Sequence, residues 1–596
     1  MFEVTHCALD LELLRSPVAS VIPDAPGRIR CTCTLELAAG ADPIPGVQFV
    51  LYRLLRVSAA TDGPYPRLPF RQRVHAVDGL PDMQVNAVEV ELPAPIAPGE
   101  RRTLRLTYEG PLAGYREVMP YVHDSVQRDV AVLRPEVLWY PVPGVAGPDI
   151  VRRAYRTAPF EAVVRGPEGW WAAMARARRE EPEAGAMAHF RGEEWSDGFF
   201  LVAGRYGERA AGEDFVAHHL PGHEAWAETA AEAARFAMAT LTNWLGPRAA
   251  TGKRLDLVEI PEHWGSQSTP GLILEIYRDD PRHLFMEVVH EISHQWTPGV
   301  DPNRFCDEGV AHHLEARLLG ARSGEEARWG AVDHRRRWLL THPEAARIPI
   351  THAAEHPDHL DSVARIKGPL ALAVLNACVG DQAFWNLLRG WIRSGDAPHE
   401  TAADFCAHVR SWARRYGTLD AGRFLQEWFE VPGTPPLQDA ADRPITEVVG
   451  ALAARYVAAE RPAWGVSGGA GGWPTPLIRR PRTNSGRRST RTTRCWGSQM
   501  SPRDASRRYR SPSRSGGTRR GASDQGTGRR TERSGLQPVH PGSHQESRSH
   551  RQRRKDGSAP HAACGGQQAG CQGSQLRNQS VDTNYKARRP QGMTGG

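Results

Sequence analysis

The chain contains no run of eighteen or more apolar residues, so no membrane span is expected from the sequence. Its first residues, Met1-Phe2-Glu3-Val4-Thr5-His6, carry neither a basic stretch nor an apolar one, and no signal peptide is expected. Cysteine is sparse and odd in number, nine in 596 residues, which argues against a disulfide framework. Cys31 and Cys33 fall in an alternating run and point to one face of a strand, as buried free thiols in a reducing compartment do. A cytoplasmic location is the expectation that follows. Acidic residues are scarce in one region only. From Gly471 onward there are six Asp+Glu against 26 Lys+Arg, near +20, which leaves residues 1–470 near −13 and the whole chain at +7.

The basic tail is rich in Arg, Ser, Gly and Gln, with runs such as Arg551-Gln552-Arg553-Arg554-Lys555. It has too few apolar side chains to offset the entropy of ordering it, so residues 461–596 are expected to be disordered. Nucleic acid could be contacted through phosphates by such a segment. The abrupt change of composition near Gly468 favours an incidental extension instead.

Ahead of the tail, residues 1–212 read as β-structure. Ile29, Cys31, Cys33, Leu35 and Leu37 alternate with polar residues, as do Val88, Val90 and Leu92, then Leu104, Leu106 and Tyr108. A sandwich or saddle-shaped sheet domain is the expected result. A helix is expected over about 225–245, with Trp226, Ala230, Ala233, Ala237, Leu241 and Trp244 on one face and Gly246-Pro247 as the stop. A strand over Leu255–Ile260 follows, and after Gly320 the chain reads as mostly helical to about Pro435.

The chemistry concentrates between Asp280 and Glu315. Asp280 is a good N-cap, Pro281 suits the first helical position, and Leu284, Phe285, Val288, Val289 and Ile292 form an apolar stripe. On that helix His290 and His294, four residues apart, share a face and can reach one ion, with Glu291 beside it. A second helix is expected to start with Asp307 as N-cap and stop at Gly320, placing Glu308 in its first turn as a third ligand. Two imidazoles and a carboxylate suit Zn²⁺ and leave one position open.

His290-Glu291-Ile292-Ser293-His294-Gln295-Trp296 followed by Asp307-Glu308-Gly309-Val310-Ala311 resembles the motifs of the aminopeptidase N-type zinc metallopeptidases, a gluzincin family. The resemblance implies His290, His294 and Glu308 as ligands of one zinc per chain. It implies Glu291 as the general base that takes a proton from the metal-activated water and returns it to the leaving amine. It extends over about residues 100–437 and implies an α+β fold: an N-terminal β domain (1–212), a thermolysin-like metallopeptidase domain (213–330) and a helical lobe (331–460). Thirteen residues separate His294 from Glu308, fewer than the family's usual interval.

Two departures bear on specificity. Gly265-Ser266-Gln267-Ser268-Thr269-Pro270-Gly271-Leu272-Ile273 is similar to the family's substrate-pairing edge strand, with Ser268 where a glutamate holds the substrate amine. A neutral hydroxyl cannot supply that ionic partner. Gln267 and Ser268 are therefore expected to line the cleft with altered recognition of the N-terminus. Arg365-Ile366-Lys367-Gly368 resembles the segment whose tyrosine stabilises the oxyanion, and no tyrosine occurs from Arg278 to Arg415. Either Arg365 or one of His352, His356 and His359 takes that role. Glu315 is expected to orient a ligand histidine, while His312 and His313 read as surface residues. The function expected is zinc-dependent hydrolysis of a peptide substrate. The alternative is a catalytically weakened relative that binds peptides or partners.

Overall fold

Alternation from Phe2 onward becomes sheet, in a computed structural model that describes residues 2–457 apart from 19–24, 64, 79, 120, 157, 183, 193–197, 213–214, 249–253, 298–300, 394–400, 418 and 438–442. The basic tail lies outside the described residues. A seven-stranded sheet runs in spatial order Arg178–Glu180, Ala188–Gly192, Phe160–Arg165, Phe2–Leu14, Arg28–Ala39, Arg101–Pro111 and Arg56–Asp62. A four-stranded sheet, Phe70–Val77, Leu80–Ile96, Ile44–Tyr52 and Val142–Pro143, shares one apolar core with it. Inward residues of both sheets are close to fully buried, Ile29, Cys31 and Cys33 of one and Phe49 and Val88 of the other among them. Cys31 and Cys33 are buried free thiols, as the alternating pattern requires. Every strand pair in the larger sheet is antiparallel except Phe2–Leu14 beside Phe160–Arg165.

A second core lies among helices. The Glu224–Leu245 helix buries Trp226, Ala230, Ala233, Ala237 and Leu241, and Gly246 ends it at φ 87°. Alanine on that face lets the Pro281–Ser293 helix approach closely, and Val288, Val289 and Ile292 fill the contact. Within the helical segment Pro357–Val379 an 18-residue window has mean hydropathy 1.3, and 72% of that window is buried within this body of helices.

Between the two cores stands a five-stranded sheet, in order Gly207–Gly212, Phe215–His219, Leu255–Ile260, Leu272–Ile276 and Gln267–Thr269. It begins at Gly207, before the boundary at 213 set from the sequence. Val258, Ile260, Leu272 and Leu274 on one face pack against Val130, Val132 and Val202 of a three-stranded sheet in the N-terminal region. Leu257 and Ile273 on the other face belong to the helical core. Gln267–Thr269 is the antiparallel edge, so among the described residues the strand expected to meet substrate has one side without a paired strand.

Candidate metal centre

The first ligand helix forms as its caps dictate. Asp280 accepts a hydrogen bond from the Arg282 amide at 2.8 Å, Pro281 occupies the first turn, and the helix runs Pro281–Ser293. His290 Nε2 and His294 Nε2 stand 3.2 Å apart on its face. Trp296, in the turn that follows, donates from Nε1 to Gly246 O at 2.8 Å, tying the end of this helix to the end of Glu224–Leu245. Gln295 reaches the other way. Its Nε2 donates to Ser268 Oγ at 2.8 Å and Thr269 O at 3.0 Å, so the residue after His294 holds the edge strand.

The second ligand segment differs from its expected form. Asp307 is not an N-cap. The chain turns at Arg304, which takes φ 55°, and Phe305–Gly309 is a single wide π turn leading into the helix Val310–Ser323. The Asp301 carboxylate caps it, accepting from the Phe305 and Cys306 amides at 3.0 Å each. Gly320 is not the stop either: the helix passes through it and ends at Gly324, φ 96°. A Cβ on Gly320 would come 2.9 Å from Arg328 Cβ, so its smallness serves packing against the next helix. Released from capping, Asp307 faces His294, with Oδ1 at 2.7 Å from Nδ1. π turns of this kind cluster at functional sites because they re-aim side chains.

Glu308 arrives beside the histidines despite the short interval, its Oε2 3.4 Å from His290 Nε2. His290, His294 and Glu308 each offer one atom, all within 4.8 Å of one another. Tetrahedral zinc with bonds of about 2.0–2.1 Å separates neighbouring donors by roughly 3.3 Å, close to the two spacings just given. Glu308 Oε2 is buried and has no hydrogen-bond partner among the described residues. A cation satisfies it without rearrangement. The donor set and its spacing therefore fit zinc.

Each candidate donor is also held from behind. Glu315 Oε2 lies 3.4 Å from His290 Nδ1, Asp307 backs His294, and Glu308 Oε1 accepts from Arg304 Nη2 at 2.5 Å and Arg365 Nη2 at 2.9 Å. Burial alone would raise the Glu308 carboxyl, but Arg365 and Arg304 outweigh it and hold it well below the carboxylate range. Burial would likewise lower the His290 imidazole, yet Glu308 and Glu315 raise it to about 10. Burial lifts the Glu291 carboxyl above its ordinary value, the direction a general base needs.

Arg365 is thus ion-paired to Glu308. His352 and His356 are exposed and His359 half-buried. The surface reading of His312 and His313 is wrong. His313 is buried, and His312 is half-buried against the His290 ring, with centroids 4.2 Å apart. Gln267 and Ser268 are both half-buried, and Gln267 Nε2 donates to Glu136 Oε1 and to Tyr155 Oη at 3.2 Å each. Arg304, Asp307, Glu136 and Tyr155 stand beside these residues and lie outside the set expected from the sequence. Only Asp307, which belongs to the second motif, had a signal in the sequence.

No family model matches the chain. Leukotriene A-4 hydrolase of Xenopus laevis is 25% identical over 193 residues, 30% of this chain and 32% of that protein. The match therefore spans about a third of that curated relative. Among solved structures, an M1 zinc metallopeptidase from Deinococcus radiodurans superposes with a TM-score of 0.51 at 21% identity, covering 73% of this chain and 96% of that one. Native yeast LTA4 hydrolase gives 0.51 at 13% identity, covering 73% and 69%. The chain has the fold of the M1 zinc metallopeptidases, the family that its His290–Trp296 and Asp307–Ala311 motifs resemble.

Proposed function

We propose that this chain is a zinc-dependent peptidase. The observation that carries the reading is the convergence of His290 Nε2, His294 Nε2 and Glu308 Oε2, each ligand backed by a buried or half-buried partner. When bound there, zinc supplies a Lewis acid that acidifies a water and polarises a carbonyl. Glu291 takes the proton from the attacking water and passes it to the leaving amine. Asp307 and Glu315 fix the imidazole orientations, and Arg304 and Arg365 hold Glu308 ionised. Gln295 fixes the edge strand whose free side pairs with an extended peptide.

Ser268 supplies no anion for a substrate ammonium, but Glu136 stands beside the same strand. Its carboxylate is 2% exposed, its Oε1 is used by Gln267 and Tyr155, and its Oε2 has no partner among the described residues. That free oxygen is the reading's anchor for a peptide N-terminus. A second reading, peptide binding without cleavage, draws on Arg365, whose guanidinium is paired with Glu308.

The test is zinc content measured with the products of a peptide library carrying free and acetylated N-termini. Zinc-dependent cleavage that favours free termini supports the first reading and the Glu136 anchor, and bound zinc with no product supports the second. Glu291→Gln is expected to keep its zinc and lose about 10²–10⁴-fold in hydrolysis; undiminished turnover removes Glu291 from the mechanism.

A further inference from the structure

Gln295 holds the edge strand Gln267–Thr269 at its C-terminal end, and a second grip lies just ahead of its N-terminal end. Arg134 follows the strand Val130–Leu133, two residues before Glu136. Its side chain is 0% exposed. Nη2 donates to Trp264 O at 2.5 Å and to Gly265 O at 3.0 Å, and Nη1 donates to Tyr121 O at 3.5 Å. On the other flank Nε lies 3.4 Å from Asp124 Oδ1, while Asp124 Oδ2 accepts from the Arg134 amide at 2.5 Å. A charge this deep is tolerated only when paired, and Asp124 pairs it. The carbonyls that Arg134 reaches belong to a constrained turn. His263 and Gly265 both take left-handed backbone, φ 73° and 69°. A Cβ on Gly265 would come 2.7 Å from Tyr121 Cβ. Backbone of this kind persists where its surroundings hold it.

We propose that Arg134 is a positioning residue for recognition of the substrate's N-terminus. The inference rests on the peptidase reading and on Glu136 as its anchor. From one segment, Arg134 holds the 264–265 turn and Glu136 meets Gln267 two residues further on. The strand that pairs with the peptide and the carboxylate that meets its ammonium are thereby set in one frame. Arg134 lies too deep to touch a peptide. What it fixes is the offset between Glu136 and the edge strand, and so whether an anchored amine and a paired backbone fit the same substrate. Guanidinium suits this work, because it is a permanent cation that presents several donors in a rigid plane. A misplacement of about 1 Å in such a frame costs up to about 10²-fold.

The experiment uses the full chain with zinc and matched peptides carrying free or acetylated N-termini. Arg134→Lys keeps a cation beside Asp124 but is shorter and lacks the fork. It is expected to raise KM for free termini by about 10–10²-fold, with kcat and zinc content near wild type, and to lose most of the preference over acetylated peptides. Asp124→Asn removes the counter-charge and leaves both carbonyl bonds. It is expected to lower Tm while KM and the preference stay near wild type. Gly265→Ala displaces the same turn through Tyr121, is expected to act on KM as Arg134→Lys does, and replaces that variant should it fail to fold. Wild-type KM and preference in the turn variants, or a KM that follows Tm across all three, overturns the proposal and leaves the peptidase reading intact. A wild-type protein that binds zinc and cleaves nothing overturns both. Cleavage that ignores the N-terminus removes the Glu136 anchor, and this proposal with it.

Discussion

Glu161, Glu180 and His189 on the seven-stranded sheet offer three ligand atoms within 4.8 Å, as His290, His294 and Glu308 do. Both draw on imidazole and carboxylate donors, one imidazole with two carboxylates in the first and two imidazoles with one carboxylate in the second. They differ in what surrounds the donors. His189 Nε2 meets Glu161 Oε1 at 2.9 Å, Arg191 meets the same oxygen at 2.9 Å, and Arg178 holds Glu180 at 2.8 Å. All three residues are half-exposed, and their charges are neutralised by side chains already present. Around His290 two of the donors, His290 and Glu308, are buried and His294 is half-buried, and Glu308 Oε2 has no hydrogen-bond partner among the described residues. A metal site is marked by unspent donor atoms under burial, not by the presence of histidine and carboxylate.

That contrast breaks most sharply by deletion. His294→Ala is expected to reduce bound zinc from about one per chain to nearly none, with loss of hydrolysis, because two protein ligands do not hold zinc against buffer. His189→Ala is expected to leave zinc and turnover unchanged. Metal analysis after gel filtration reads both. If the two variants lose metal equally, burial does not separate the clusters.

A smaller effect tests the partners behind the ligands. Asp307→Asn keeps the size of the side chain that faces His294 Nδ1 and removes its charge. Zinc affinity is expected to fall about 10–100-fold, measured by chelator competition. The corresponding change in the other cluster, Glu180→Gln, is expected to move nothing.

Protonation sharpens the comparison further. Without metal, His290 holds its proton up to about pH 10 because Glu308 and Glu315 overcome the effect of burial. A protonated imidazole cannot coordinate, so zinc uptake at pH 8 is expected to expel about one proton from His290. Below pH 10 the affinity therefore rises with pH, by up to about tenfold per unit. In the metal-free protein the sign for stability is opposite. A histidine raised above its unfolded value stabilises fully below about pH 6.5 and loses that contribution as pH climbs through 10. Calorimetry in buffers of different ionisation enthalpy counts the protons, and none released would contradict the His290 assignment.

The legible part of this site was whatever local geometry dictates. His290 and His294 share a face because a helix turns every 3.6 residues, and the caps at Asp280 and Pro281 fix where it starts. The sheet alternation around Cys31 and Cys33 is local in the same sense. Glu136 and Tyr155 reach the edge strand through contacts between distant segments, which no spacing encodes. Asp307 shows how local reasoning misleads. An acid ahead of a helical run reads as an N-cap, but Asp301 takes that work and a π turn redirects Asp307 to His294. Arg365, one of the residues expected to meet the oxyanion, pairs with Glu308 through Nη2, a contact that the sequence does not encode.

The smallest expected effect on the metal comes from Trp296, because its contribution lies in the frame and not in the donors. The indole is buried and donates to Gly246 O at the end of the neighbouring helix. Trp296→Phe keeps an aromatic ring and leaves that carbonyl unpaired, a loss of about 1–3 kcal/mol in unfolding free energy. Zinc stoichiometry is expected to stay unchanged, since Asp307 and Glu315 still orient the ligand rings. Denaturant unfolding and metal content on the same sample read the two quantities separately. Loss of zinc without loss of stability would mean that the helix junction sets the His290–His294 geometry directly, and that the metal centre is less self-supporting than its ring of partners implies.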